Sequence, residues 1–348
     1  MPHGTFVLAD ISGHSRYLDA AGLRHASNVT AHLLNGLIKA AAPHWTVAKL
    51  EGDAVFFLIE GREPSPATMA HIGALFRAFL EGILEIGQDT DCGCGACAGS
   101  NRLTLKFVVH SGEYESRQIG GREELIGPAV VVAHRLLKPG VRVLEYALFT
   151  RDYLGGDEPP VAVASQASVE TEFGSVPFMV ANLASLRREF EHEKQAFFSE
   201  TQAVGRAEVE IDQAAGRVWD ALLNPAKIRE WSGMEDVIYF PARAGNFGSV
   251  YIWRPPGAAA FANVVVALDG ERQRVTICRS REPDSGRVYV TYGVAGVSAA
   301  SCLVTCDLGL PPANEPGQRA TDPRRKEIQK AALAELNLLK RYCEAQAG

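Results

Sequence analysis

Two stretches near the N-terminus each bring a carboxylate to the end of an apolar run. The first is Phe6-Val-Leu-Ala-Asp10-Ile-Ser-Gly13-His-Ser15, and the second is Lys49-Leu-Glu-Gly52-Asp53-Ala-Val-Phe-Phe57. Each reads as a buried strand that delivers an aspartate to its end, beside small residues that let a ligand approach the backbone. Two such carboxylates brought together hold a divalent cation, and such oxygen sites serve phosphate chemistry. Taken singly, Asp10 also reads as a helix cap and Asp53 as a turn residue. The pair favours the metal reading.

A third cluster is Cys92-Gly-Cys94-Gly-Ala-Cys97, which holds three of the seven cysteines. In a reducing compartment this spacing favours metal or redox chemistry over a disulfide framework. Cys92, Cys94 and Cys97 could supply three thiolates and His110 a fourth ligand, closing a zinc site that pins a glycine-rich loop. The other reading is a loop with reduced thiols, and Asp89 and Asp91 are further candidates for the fourth ligand.

These residues need elements to position them. Residues 5–10 form a short apolar run, followed by helical periodicity over 15–41. Residues 45–50 and 54–59 read as strands joined by Glu51-Gly52-Asp53. A second helix runs to about Ile86, with Ile72, Leu75, Phe76, Phe79 and Leu80 as its buried stripe. Residues 103–110 alternate as a strand, 112–122 read as a polar hairpin or loop, and 126–137 as a helix stopped by Pro139-Gly140. Strands follow at 143–149, 161–164 and 176–180. The order is β-α-β-β-α-β-α-β, an α+β sandwich with helices on one face of a mixed or antiparallel sheet. Residues 183–205 are charged and helical, and suit an interdomain linker. Beyond them come a strand at 207–211, a short helix with Val218, Trp219, Leu222 and Leu223, and five or six strand-like runs. A last helix runs from Asp322-Pro323 to Cys343, with Ile328, Ala332, Leu336 and Leu339 on one face.

The length of 348 residues fits two domains. An apolar fraction of 47% and a charged fraction of 22% are those of a globular protein. A net charge of −6 argues against a general nucleic-acid binder. No apolar run follows a charged start, so no signal peptide is expected. No stretch reads as long enough to span a bilayer. The expectation is a soluble, cytoplasmic protein.

On the residues around Asp10 and Asp53, the first half of the chain resembles class III nucleotidyl cyclases, which have a ferredoxin-like α/β sandwich. In that family a metal-binding aspartate ends the first strand before a glycine-containing turn, as in Asp10-Ile-Ser-Gly13. A second lies in a hairpin after a lysine and a glycine, as in Lys49-Leu-Glu-Gly52-Asp53. The resemblance implies that the 3′-hydroxyl of a purine nucleoside triphosphate attacks its own α-phosphate, releasing pyrophosphate, with two Mg²⁺ or Mn²⁺ ions between Asp10 and Asp53. It implies a triphosphate cradle at Ile11, Ser12 and Gly13, a purine contact from Lys49, and base reading by Glu124 in place of the usual aspartate. Arg135 falls where the family has its transition-state arginine. The family completes each site across a dimer, so a homodimer is implied.

Three positions depart from the family. Val131 replaces an asparagine that holds the ribose, and His134 replaces a small residue. The strand around Phe173-Gly-Ser-Val176 lacks the lysine that grips the terminal phosphates. Loss of one positioned polar group commonly lowers turnover by ~10²-fold or more. A catalytically inactive nucleotide- or ligand-binding regulator on the same fold is therefore the alternative. From about Ala207 onward the chain resembles the START-like helix-grip superfamily, on Val209-Glu-Ile211, Ala214 to Val218-Trp219-Asp220, Pro225, Trp231 and the terminal helix. This implies a cavity for a hydrophobic small molecule, with Trp253, Phe261, Tyr289 and Tyr292 as cavity or core aromatics. The expected organisation is a cyclase-like domain over 1–182, a linker over 183–205 and a helix-grip domain over 206–348.

Overall fold

The apolar runs of the N-terminal half become the central strands of a mixed sheet. In the computed structural model, residues 1–42, 44–88, 95–157, 163–195, 197–198, 203–243, 246–280, 287–309 and 325–346 are described. The chain is mixed α/β with several sheets and divides into two units. One comprises Met1–Ile83 and Leu103–Phe190, the other Leu84–Arg102 and Glu191–Gly348.

The chain begins with β1 (His3–Ser12), α1 (His14–Ala20), α2 (Leu23–Ala41), β2 (Thr46–Glu51), β3 (Ala54–Glu60), α3 (Ser65–Gln88) and α4 (Gly95–Gly99). Next come β4 (Thr104–Glu113), β5 (Glu115–Ile119), β6 (Arg122–Ile126), α5 (Pro128–Arg135), β7 (Tyr146–Thr150), α6 (Arg151–Leu154), β8 (Val163–Thr171), β9 (Gly174–Asn182) and α7 (Ala184–Lys194). Seven strands form one sheet in the order β2-β3-β1-β4-β7-β9-β8, and β5-β6 is a separate hairpin. Only β4 and β7 pair in parallel; the other recorded pairings of this sheet are antiparallel.

Residues 4–9 of β1 are all buried, which requires cover on both faces of the strand. On one face Phe6, Leu8, Phe56, Val108 and Leu148 pack with Val130, Val132, Ala133 and Leu136 of the α5 region. The helix expected over 15–41 is two helices. Ala21 and Gly22 both turn extended (ψ 142° and 133°), which ends α1 and lets α2 start in a new direction. The polar stretch expected as a hairpin or loop is the ribbon β5-β6.

One expectation needs correction. α3 has 24 residues and is long and apolar enough to cross a membrane by length and composition. Its Ile72, Leu75, Phe76, Phe79 and Leu80 are instead buried in the protein. The high hydropathy follows from core packing on one side of the helix.

The second unit adds β10 (Gly205–Ile211), α8 (Ala215–Leu223), α9 (Pro225–Ser232), β11 (Asp236–Phe240), β12 (Val250–Arg254), β13 (Phe261–Asp269), β14 (Arg274–Ser280), β15 (Arg287–Gly296), β16 (Cys302–Gly309) and α10 (Arg325–Ala345). Its seven-stranded sheet runs β10-β16-β15-β14-β13-β12-β11, and every neighbouring pair is antiparallel. Side chains alternate across it as strand geometry demands. Tyr251 and Trp253 point into a core shared with Ile228 and Trp231 of α9 and with Ala332, Leu336, Leu339 and Cys343 of α10. Val250 and Ile252 join a second cluster with Ala262, Val264, Val266 and Cys278, into which Ala98 and Leu84 pack. Asn101 ties the same segment down, its Nδ2 donating to the Phe240 and Gly248 carbonyls (2.8 and 3.1 Å).

Candidate functional site

Backbone register brings the two aspartates together. Asp10 lies opposite Ala54 in the β1–β3 ladder, and the Ile11 N–H donates to the Asp53 carbonyl (3.1 Å). The carboxylates therefore stand one position apart on neighbouring strand ends. The turns that release them need left-handed backbone, with φ of 90° at Gly13 and 65° at Gly52, and glycine supplies it without strain.

Each carboxylate has a cationic or imidazole partner. Asp10 faces Lys106 across the β1–β4 ladder, and the ammonium sits 2.9 Å from Asp10 Oδ2 while also donating to the Leu137 carbonyl (2.9 Å). Asp53 Oδ2 lies 3.4 Å from His14 Nδ1, and His14 Nε2 is fixed by Thr30 Oγ1 at 2.7 Å. Burial and the charge of Asp10 push the Asp53 carboxyl above its ordinary value; its backbone hydrogen bond, His14 and Lys106 pull the other way. Nearby, burial and then Asp10 push the Tyr146 hydroxyl up to about 12. Two neighbouring carboxylates, with Asp53 raised by burial and then by Asp10, form a hard, oxygen-donor set. Such a pair has the chemistry to hold a hard divalent cation such as Mg²⁺ or Mn²⁺. Among the described residues, no group of three or more His, Cys, Asp and Glu is arranged to hold a metal ion.

The remaining candidates fall into two places. Lys49 Nζ lies 3.5 Å from Glu124 and 3.6 Å from Glu51, so the two residues expected to read a base are neighbours within one chain. Glu51 continues to His134 (3.2 Å), whose ring lies against Phe56 with centroids 5.0 Å apart. Arg135 is exposed on α5 and pairs with Glu172 at 3.3 Å. Ile11 is buried with its N–H used by Asp53, while Gly13 is exposed in the turn.

Lys106, His14 and Glu51 were not among the residues the sequence reading selected. Lys106 had a signal, as a lysine between Leu105 and Phe107 in an apolar strand. His14 stands in the first motif, but only the fold shows that it reaches Asp53.

Of the cysteine cluster, Cys92 and Cys94 lie outside the described residues. Cys97 is half-buried in the second unit, whereas His110 belongs to the first. His110 is buried on β4 with Nδ1 2.9 Å from Thr150 Oγ1. Burial drives its pKa down to about 4 despite the attraction of Asp152. The unfolded chain therefore binds a proton below about pH 6.5 that the native protein refuses until about pH 4. Stability from this residue is complete above pH 6.5 and is lost as pH falls to 4, by up to about 3 kcal/mol. His110→Gln is expected to flatten that part of the urea-midpoint-versus-pH curve, and an unchanged slope would refute the assignment.

Residues 30–146 match a family described as "Protein of unknown function (DUF2652)". An uncharacterized protein of Mycobacterium tuberculosis is 36% identical over 120 residues, covering 34% of this chain. The match spans 56% of that relative's length. Among solved structures, the adenylyl cyclase CyaB from P. aeruginosa is similar at 15% identity and a TM-score of 0.42, covering 52% of this chain and 94% of that one. A point mutant of a Thalictrum norcoclaurine synthase is similar at 14% identity and a TM-score of 0.32, covering 41% and 94%.

Proposed function

We infer that the first unit binds a purine nucleoside triphosphate with divalent metal at Asp10 and Asp53 and closes it to a 3′,5′-cyclic nucleotide. The observation that carries this reading is the pairing of the two aspartates on adjacent strand ends, with Asp53 pushed up by burial and then by Asp10. Mg²⁺ or Mn²⁺, when bound, supplies Lewis-acid stabilisation of the phosphate oxygens and acidifies the 3′-hydroxyl. In the reaction the O3′–Pα bond forms, the bond from Pα to pyrophosphate breaks, and the hydroxyl proton passes to solvent. Lys106, held on Asp10 in the free protein, is placed to turn to the phosphates once Asp10 is otherwise engaged. The neighbouring Lys49 and Glu124 supply one donor and one acceptor for a base edge. Arg135 is exposed and serves the site of a second copy, so the functional form is a homodimer.

Full-length protein with Mn²⁺ or Mg²⁺ and ATP or GTP is expected to release cyclic nucleotide and pyrophosphate. Asp53→Ala is expected to lower that rate by ~10²-fold or more and to weaken Mn²⁺ binding read by electron paramagnetic resonance. Absence of product, together with unchanged Mn²⁺ binding in Asp53→Ala, would sink the reading.

A non-catalytic nucleotide-binding regulator is the second reading. Two observations favour it: Val131 offers no hydrogen bond to a ribose, and both aspartates already have partners in Lys106 and His14. Thermal stabilisation by nucleotide without turnover selects it. In either reading residues 206–348 of the second unit, with their helix-grip resemblance, serve as the small-molecule module. A cavity beneath α10 supports that role.

A further inference from the structure

His14 opens α1, and its side chain is 11% exposed. After the break at Ala21 and Gly22, α2 brings the buried Thr30 against the ring, with Thr30 Oγ1 2.7 Å from His14 Nε2. Counting protons fixes the tautomer. Thr30 has a single hydroxyl proton and donates it to the Ala26 carbonyl one turn back, at 2.8 Å. Towards His14 it is therefore an acceptor, and Nε2 carries the N–H. The bond made by one ring nitrogen sets the state of the other, so on the neutral ring Nδ1 holds a lone pair.

That lone pair faces Asp53 Oδ2 across 3.4 Å. A carboxylate oxygen and an imidazole lone pair are both acceptors. What satisfies the two of them is a positive charge between them, either a proton or a metal ion. The spacing suits a metal. Two donors ~2.0–2.1 Å from one tetrahedral ion stand about 3.3–3.4 Å apart, which is the span of this gap. Asp10 adds a further negative charge that is felt at Asp53.

We propose that His14 Nδ1 and Asp53 Oδ2 together bind one divalent ion, and that the nitrogen lets this position take a borderline transition ion such as Zn²⁺ in preference to Mg²⁺. Mg²⁺ is served by oxygen donors, whereas imidazole suits Zn²⁺ and its neighbours. The pair supplies two donors, and water or a phosphate oxygen completes the shell. The proposal rests on the reading of Asp53 as a metal ligand and adds to it a nitrogen ligand and a class of metal. Thr30 is a positioning residue, since it acts only through the ring.

The test loads the full chain with Mn²⁺ and reads electron spin echo envelope modulation, which detects a directly bound imidazole nitrogen. The native chain is expected to show the nitrogen modulation. His14→Gln keeps an oxygen donor and is expected to retain Mn²⁺ while losing the modulation. Zn²⁺ and Mg²⁺ are then titrated separately against the bound Mn²⁺, so that zinc taken up elsewhere in the chain does not enter the readout. Displacement is expected to need about tenfold or more Zn²⁺ in His14→Gln than in the native chain, with the Mg²⁺ requirement unchanged. A merely structural role of His14 would move both ions together. Thr30→Val removes the acceptor of the Nε2 proton and is expected to raise the Zn²⁺ requirement by a smaller factor. Bound Mn²⁺ without nitrogen modulation in the native chain overturns the proposal but leaves the Asp53 reading standing. Equal shifts of Zn²⁺ and Mg²⁺ in His14→Gln do the same. Failure to bind Mn²⁺, or binding that Asp53→Ala does not weaken, overturns both.

Discussion

Glu335→Leu is expected to destabilise the second unit by about 3–5 kcal/mol, the cost of leaving a buried charge without its partner. Arg279 would keep its bond to Asn263 and its contact with the Trp253 ring but lose both carboxylate bonds. Tyr292 would lose its acceptor as well. The double variant Arg279→Met/Glu335→Leu removes both charges together, and its stability is expected to return to within about 1–2 kcal/mol of the native chain. Denaturant unfolding followed through the tryptophans measures the difference, because Trp231 and Trp253 lie in the same core. A double variant no more stable than Glu335→Leu would show that packing, and not charge pairing, holds this part of the core.

The second large effect is expected at Ala98. This side chain is 1% exposed among Val250, Ile252, Val264 and Val266, on the face of the second sheet opposite α10. Ala98→Asp places a carboxylate in that cluster of apolar side chains. Burying a polar group without a hydrogen bond costs at least ~2 kcal/mol, and a charge costs more. The segment is therefore expected to detach, giving a large fall in melting temperature and faster hydrogen exchange in β12 and β13. Unchanged exchange there would mean that the segment carries no part of the unit's stability. The idea extends to truncation: a chain beginning near residue 203 lacks Ala98 and Asn101 and exposes that face. Such a chain is expected to be less soluble than the full protein.

Much of the local structure was legible because it follows from side-chain periodicity. The stripe Ile72, Leu75, Phe76, Phe79 and Leu80 marks α3, and the alternation in 207–211 marks β10. The two aspartates were legible for the same reason. Apolar runs ending in Asp10 and beside Gly52-Asp53 can be read without knowing what packs on them. The break at Gly22 was less legible, since the periodicity of α1 and α2 continues across it and only the extended backbone at Ala21 and Gly22 separates them.

The sequence by itself determined the elements, the strand ends that carry Asp10 and Asp53, and the apolar face of α10, because each depends on residues close along the chain. Only the tertiary structure decided what surrounds them. Lys106 reaches Asp10 through a cross-strand register, His14 reaches Asp53 across a turn, and Glu124 reaches Lys49 from a ribbon distant in sequence. Arg279 and Glu335 meet because α10 crosses the sheet face onto which Arg279 projects, and Ala98 finds its cover on β12 and β13. Charge pairing and burial act over a few ångströms in space and have no period in sequence, so they appear only once the sheets and helices are in place.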